Sequence, residues 1–553
     1  MSRMSVVFAR AGLAALVVLV GCAAEDHIAP FSEGITEAGL RADLFVLAHD
    51  SMAGRLVGTP EISRAADWVR DRFSALGLEP GGDNGTYDQS FDLVWASLGT
   101  GNRLAVSSTG AGRVPGNGWT PSSISATGSA SGDVVFAGFG IVEPRLGFDD
   151  YRGGDVRGKI VLVLEREPGV ADEASPFDGV VTSEASRDWR KALSAQERGA
   201  VAVLFVRDVH TRSDVDDWAA AHRGAWPASP RRIERFTLGA WVEEVDIPVA
   251  LISAELAGRL VAGSGRSLVQ LAEASEGAAD GLGVVVLPGA RASLTTAVAR
   301  NVTPGRNIIA LIEGSDPGLL NEVVIIGAHH DHNGADGESV FNGADDDGSG
   351  TVGVMAIAEA YSRAAQEGVR PRRTVMFAIW DAEERGLLGA WYYTLRPLFP
   401  LQRTVANLNL DMIGRHEEVP VDGGGRFGGL DVQSAESNAN AINILGFSRT
   451  PDLAAHVDSA NEATGLLLRF RYDNNESNLL RRSDHWPFLQ NGVPAVWFHT
   501  GLHPDYHTPD DDADRIEYEK MTRIVRLVHQ TGWDLANADG RPALEGMRSR
   551  PRS

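Results

Sequence analysis

The chain has 553 residues, with 51 Lys+Arg against 74 Asp+Glu and a formal net charge of −23 at pH 7. Its 43% hydrophobic content can offset chain entropy, which excludes disorder as the main state, and at roughly 100–200 residues per domain the length implies several domains. The acid excess leaves no basic stripe for phosphates, so no nucleic-acid partner is expected, and one Cys builds neither an internal disulfide nor a thiolate metal site, so any metal falls to His and carboxylates.

Arg3 and Arg10 bracket the start, and the apolar run Ala11–Val20 follows. Ten residues are too few for a bilayer, which needs roughly 20, and the pattern reads as a secretory signal. Its end, Leu19-Val20-Gly21-Cys22, resembles the lipobox of bacterial lipoproteins. That resemblance implies a signal peptide over residues 1–22 and lipidation of Cys22. Ala23 stands where some bacteria use Asp to retain lipoproteins in the inner membrane. The expected location is the bacterial cell envelope, facing the periplasm or exterior, with the outer membrane favoured and a lipid anchor as the only membrane contact.

Residues 23–34 form a polar tether. A helical pattern starts near Ile35 with Leu40, Leu44 and Leu47, and resumes after a loop with Ala65, Trp68, Val69, Phe73 and Leu76 before Gly77. Gly, Ser, Thr and Asn dominate residues 97–132. Short β-type runs follow at Asp133–Phe139, Lys159–Leu164, Val201–Val206 and Ile247–Ile252, with one helical stretch at Trp189–Arg198. This block predicts an inserted β-rich domain over residues 110–290. It separates a first part of the catalytic domain, residues 35–109, from a second part, residues 291–538. Gly158–Val163 and Glu197–Ala202 resemble strand segments of the protease-associated (PA) domain.

Beyond residue 295 the rhythm becomes strand, helix, strand. Val323–Ile326, Thr374–Ile379, Val405–Leu410 and Ala495–Phe498 read as strands, and Gly350–Ala364, Glu384–Tyr393 and Arg515–Ala536 as helices. The alternation predicts an α/β fold, a mostly parallel central sheet flanked by helices, with functional groups at the carboxyl ends of its strands. Residues 539–553, with four Arg and two Pro, read as a disordered tail.

Chemistry-bearing residues gather at those strand ends. His329, His330, Asp331 and His332 follow the first strand, and Asp345–Asp347 precede a helix. Glu383 and Glu384 follow the second strand, Asp411 ends the third, and His507 lies beyond the fourth. Each alone has an ordinary explanation: the Asp run caps a helix, the Glu pair opposes a helix dipole, and His507 is solvated. Five such groups at the same kind of position point instead to one site. Imidazole and carboxylate are nitrogen and oxygen ligands that zinc uses. Divalent ions lower the pKa of bound water toward neutrality, and a carboxylate outside the ligand set can take that proton.

The blocks Gly327–Asp331, Gly343–Gly350, Asp381–Gly389, Asn409–Gly414 and Tyr506–Pro509 resemble, in order, the signature blocks of the di-zinc aminopeptidase family, in the same clan as the glutamate carboxypeptidases. The resemblance covers residues 35–105 and 295–535, and inserted PA domains and secretion signals also occur in this family. It implies two zinc ions per chain. His329 and Asp411 would bind one, Glu384 and His507 the other, and Asp346 both. Glu383 would be the general base of a metal-bridging hydroxide mechanism, and Tyr506 would donate to the oxyanion. Asp331 and Asp347 would support the ligands from behind, with a cis peptide between Asp346 and Asp347. Ser483-Asp484-His485 resembles a further block near the substrate, whereas His330, His332, His499 and His503 match no ligand position.

The expected function is an exported metallo-aminopeptidase acting on peptide substrates with a free N-terminus. Three rivals remain: a carboxypeptidase of the same clan, an inactive surface protein binding through the PA-like domain, and a glutaminyl cyclase. The full two-metal set weighs against the last.

Overall fold

The computed structural model describes residues 28–544 apart from 109–110, 116–117, 173, 207–217 and 230. Cys22 with the rest of the expected signal, residues 23–27 of the tether, and residues 545–553 of the expected tail lie outside the described residues. No described helix is long and apolar enough to cross a membrane.

Four largely apolar runs form the centre of a ten-stranded sheet. Thr374–Trp380, Val323–His329, Thr404–Leu410 and Ala495–His499 lie side by side and parallel, with His329 opposite Trp380 and Asn409 opposite Trp497. These strands are buried on both faces, which is why they read as largely apolar runs, interrupted in Thr404–Leu410 by Asn407 and Asn409, rather than alternating ones. Val324, Ile326, Val375 and Phe377 face helices Glu37–Leu47, Pro60–Ala75, Gly350–Gln366 and Tyr518–Asn537. Ile325, Met376 and Trp380 face the opposite layer.

Antiparallel strands extend both sides of this centre. Val298–Ile312 joins one side and pairs along its length with Asp88–Leu98. Ala441–Leu445 and Leu467–Arg469 complete the other.

A second, eight-stranded sheet is built from residues 103–296. Its strands therefore begin before residue 110 and end after residue 290, the edges expected for the inserted domain. The cause is long-range pairing: Arg103–Ser108 lies against Val285–Thr296, at the far end of the insertion. Its inner strands alternate strictly. Ile160, Leu162, Leu204 and Val206 pack against helices Ala254–Val261 and Leu268–Glu276. Val161, Val163, Val203 and Phe205 share a core with the first sheet. Trp241 joins the two units, stacking on Trp189 at 5.3 Å and meeting Trp391 edge-on at 6.0 Å.

Two terminal expectations change. Of the tether, Ala29 is buried and donates its amide to Gln530 Oε1. Of the tail, residues 539–544 are tied to the fold although 539–541 are exposed: Arg373 donates to Gly540 O, Arg541 to Thr404 O, and Leu544 meets the shared core.

Candidate metal centre

All four central strands end on one edge, and the segments after them carry the site. Strand Val323–His329 delivers His329 at its last residue and His332 just beyond. Strand Thr374–Trp380 is followed by a turn, residues 381–387, that presents Glu383 and Glu384. The helix expected from Glu384 starts instead at Leu388. Ala382 and Leu387 take left-handed φ of 59° and 62°, so the chain loops before it coils. The Glu pair therefore does not sit in a first helical turn, and dipole compensation does not account for it.

Asp345, Asp346 and Asp347 lie in a tight turn ahead of helix Gly350–Gln366, and the Asp346–Asp347 peptide is cis. Gly343 opens this turn at φ 53°, where a Cβ would meet Asp346 O at 2.2 Å and the His332 ring at 2.5 Å. Asp511 accepts the amides of Asp345 and Asp346. The buried Asp511 thus spends its carboxylate on holding the turn. Asp347 does cap the helix, accepting Gly350 N at 2.9 Å, but it also accepts His329 N at 3.0 Å and Met412 N at 3.2 Å.

Two clusters result. One brings together His329, Glu383 and Asp411, the other His332, Asp346 and Glu384, with one donor atom from each residue of a cluster lying within 4.8 Å of the others. Asp346 connects them. Its Oδ1 is 3.4 Å from His329 Nε2, and its Oδ2 is 3.0 Å from His507 Nε2. His507 Nε2 also lies 3.1 Å from Glu384 Oε1. The first cluster thus brings in Glu383, the expected base, and the second brings in His332, which sequence reasoning had left without a role. His332 Nδ1 is 2.7 Å from Glu384 Oε1, though out of line for a hydrogen bond.

Supporting contacts fix these groups. Asp331 accepts the amides of Glu383 and Glu384, at 2.8 and 3.3 Å, besides facing His329 Nδ1 at 3.5 Å. Ser483 donates to Asp411 Oδ2 and accepts from Asn409 Nδ2 at 2.7 Å. The fully buried Arg55 donates to the carbonyls of Leu47, His330, Asn342 and Gly343, wrapping the loop between His329 and Asp346. The Tyr506 ring stacks on His507 at 3.8 Å. The His507 side chain is 34% exposed while those of Asp346 and Glu384 are 5% and 6%, so the clusters open to solvent on the His507 side.

Donor chemistry and electrostatics both fit divalent cations. His329 Nδ1 faces only acceptors, the carbonyl and carboxylate of Asp331, so the proton sits there and Nε2 turns its lone pair to the cluster. That Nε2, 3.4–3.9 Å from three carboxylates, has no hydrogen bond, and neither His332 nitrogen has one. Burial pushes the Asp411 carboxyl up to about 7, with Asp346 and Glu384 adding to the rise, and pushes Glu383 well above its usual range. Burial alone would lower His507, but Glu384 and Asp346 outweigh it and hold the imidazole up to about 10. His329 is raised the same way, against its burial, by Glu383, Asp331 and Asp346. Buried carboxylates at this density call for cations.

The profile of Peptidase family M28 matches residues 307–532. Over 237 residues the chain is 30% identical to a probable glutamate carboxypeptidase of Arabidopsis thaliana, covering 41% of this chain and 30% of that protein. Over 196 residues it is 30% identical to a probable leucine aminopeptidase of Aspergillus fumigatus, covering 35% of this chain and 33% of that one. The chain thus spans about a third of the length of these two relatives. An aminopeptidase structure from Aneurinibacillus sp. strain AM-1 aligns at 18% identity and a TM-score of 0.45, covering 95% of this chain and 98% of that one. Every residue of the two clusters, together with His507, lies within the stretch that matches the peptidase family M28 profile.

Proposed function

We propose that the chain is a zinc-dependent exopeptidase that removes N-terminal residues from peptides. His329 and Asp411 would hold one zinc, Glu384 and His507 a second, and Asp346 would serve both. The observation that carries this reading is the divided Asp346 carboxylate, with one oxygen toward His329 and the other toward His507, beside ring nitrogens that have no partner of their own. When bound, such ions polarise a carbonyl and acidify water. Glu383 takes the proton from the attacking water and returns it to the leaving amine. Its buried carboxyl, raised well above the usual range, suits that exchange near neutral pH. The Tyr506 hydroxyl, raised by burial and then by Asp346 and Glu384, stays protonated and donates to the developing oxyanion. His332 lies on the inner side of Glu384, its Nδ1 2.7 Å from Glu384 Oε1.

The density of acids favours a cationic α-amine at the substrate's end. A carboxypeptidase is the second reading, and a specific residue favours it. Arg481 is committed to Val181 O of the second unit, but the exposed Arg482, adjoining Ser483, bonds Leu479 O through its backbone amide while its guanidinium makes no hydrogen bond or ion pair with another described residue. It also acts on Tyr506 electrostatically, so a substrate carboxylate could be met there. One short peptide, tested free, N-acetylated and C-amidated, separates the two. Loss on acetylation supports the aminopeptidase, whereas rapid turnover of the acetylated form with loss on amidation overturns it.

We read the second unit as PA-like, on its strand segments, and the chain as an exported lipoprotein anchored through Cys22. Cys22→Ala should abolish acyl labelling, and retained label would refute the anchor.

A further inference from the structure

The segment from His332 to Gly343 connects two proposed ligands, His329 and Asp346, and it is gripped from both sides. On the inner side Arg55 donates to Asn342 O and Gly343 O, while Gly54 O accepts Gly334 N. On the outer side the grip comes from the second unit. Arg232 Nη1 donates to Asn333 O at 2.7 Å and reaches Ala335 O at 3.4 Å. The same guanidinium lies over the Phe341 ring at 5.1 Å and faces Asp336 Oδ2 at 4.0 Å.

Such a side chain is not an ordinary surface ion pair. It engages backbone, ring and carboxylate of one short hairpin at once, which the planar fork of arginine permits and a lysine does not. The hairpin's first residue carries the consequence inward. Asn333 Nδ2 donates to Glu384 Oε1 at 2.8 Å, and its Oδ1 accepts from Arg385 Nη2 at 2.7 Å. A chain of contacts therefore runs from Arg232, through Asn333, to a carboxylate of the second cluster.

We infer that Arg232 is a positioning residue: through the 332–343 segment the second unit fixes the orientation of Glu384, and metal retention at that cluster depends on it. The inference rests on the two-zinc reading. Removal of a hydrogen-bonding partner behind a metal ligand typically weakens metal binding by about 10–100-fold. Arg232 acts one residue further out, so the lower end of that range is expected.

The test uses the chain carrying both zinc ions, with R232A and R232K. Zinc release to a chelator is followed by absorbance, and amide exchange over residues 333–341 by mass spectrometry. R232A should release one of the two zinc ions roughly tenfold faster and exchange faster over the hairpin, with added zinc restoring kcat. R232K, keeping charge but not the fork, should fall between. Unchanged zinc release overturns the inference, whether or not exchange rises. A wild-type chain that binds no zinc overturns the two-zinc reading itself and this inference with it, and that result is visible before any variant is made.

Discussion

Both sheets bury charged side chains, and they treat them in opposite ways. In the second unit Asp150, Glu167 and Lys191 are answered by the chain itself. Asp150 accepts the amides of Phe139, Ile141 and Leu282. Glu167 accepts the amide and hydroxyl of Ser183, and Lys191 donates to the carbonyls of Leu164 and Arg166. At the carboxyl edge of the first sheet, ring nitrogens of His329 and His332 are left facing carboxylates without a hydrogen bond. Buried polarity that is satisfied locally serves stability. Buried polarity whose donor atoms converge without pairing is a place prepared for something else.

The largest expected effect comes from collapsing the unpaired edge. Asp346→Ala should lose zinc from both clusters and nearly all turnover, because one carboxylate faces both. Glu383→Gln should keep both zinc ions while turnover falls by about 10²–10⁴-fold, the usual scale for a general base. Metal analysis beside a peptide assay checks both, and an Asp346→Ala protein with full zinc would erase the contrast.

In the second unit the matching change should touch stability and leave metal alone. Asp150→Ala strands three buried amides, each worth about 1–3 kcal/mol when unpaired. A lowered Tm is expected with zinc content unchanged in the folded protein. Loss of zinc at temperatures where the fold survives would mean that the two units are not separable in this way.

A pH titration sharpens the same point. Burial pushes the Glu167 carboxyl up to about 8, from an ordinary value of 4.5. The folded chain therefore keeps a proton that the unfolded chain releases, so Glu167 destabilises the fold increasingly as pH rises from about 4.5 to 8. The slope is at most about 1.4 kcal/mol per pH unit for one proton. Glu167→Gln should flatten the fall in urea midpoint across that window, and an unchanged slope would show that the group titrates normally.

The smallest effect is expected at an exposed pair. Arg291 and Asp133 meet at 2.7 Å with both side chains 63% exposed, and Arg291→Ala should cost under about 1 kcal/mol by urea denaturation.

What the sequence makes legible follows from range. The four parallel strands are visible because burial on both faces writes a largely apolar run, and the ligand candidates because they cluster at or after strand ends or just before a helix. The false helix start at Glu384 arises because Ala382 and Leu387 carry no sign of their left-handed backbone. Arg55 and Arg232 bond carbonyls as far as 288 and 103 residues away, and no local pattern marks an arginine for such a partner. His332 stood in plain view but matched no family position, so only geometry could bring it to Glu384.

The strand pair Asp88–Leu98 and Val298–Ile312 is the double passage through which the chain leaves the first sheet for the second and returns. Closing that pair from an open chain means shutting a loop of about 200 residues. If residues 103–296 fold first, their ends already lie together and the loop left to close is of the order of ten. On logarithmic scaling the difference is about 3 kcal/mol of closure entropy. The inserted unit then acts as an internal template during biosynthesis, and pulse-labelled refolding should show its amides protected before those of Val298–Ile312. A chain assembled in that order closes the edge that carries its ligand candidates only after the neighbour that grips it has taken shape.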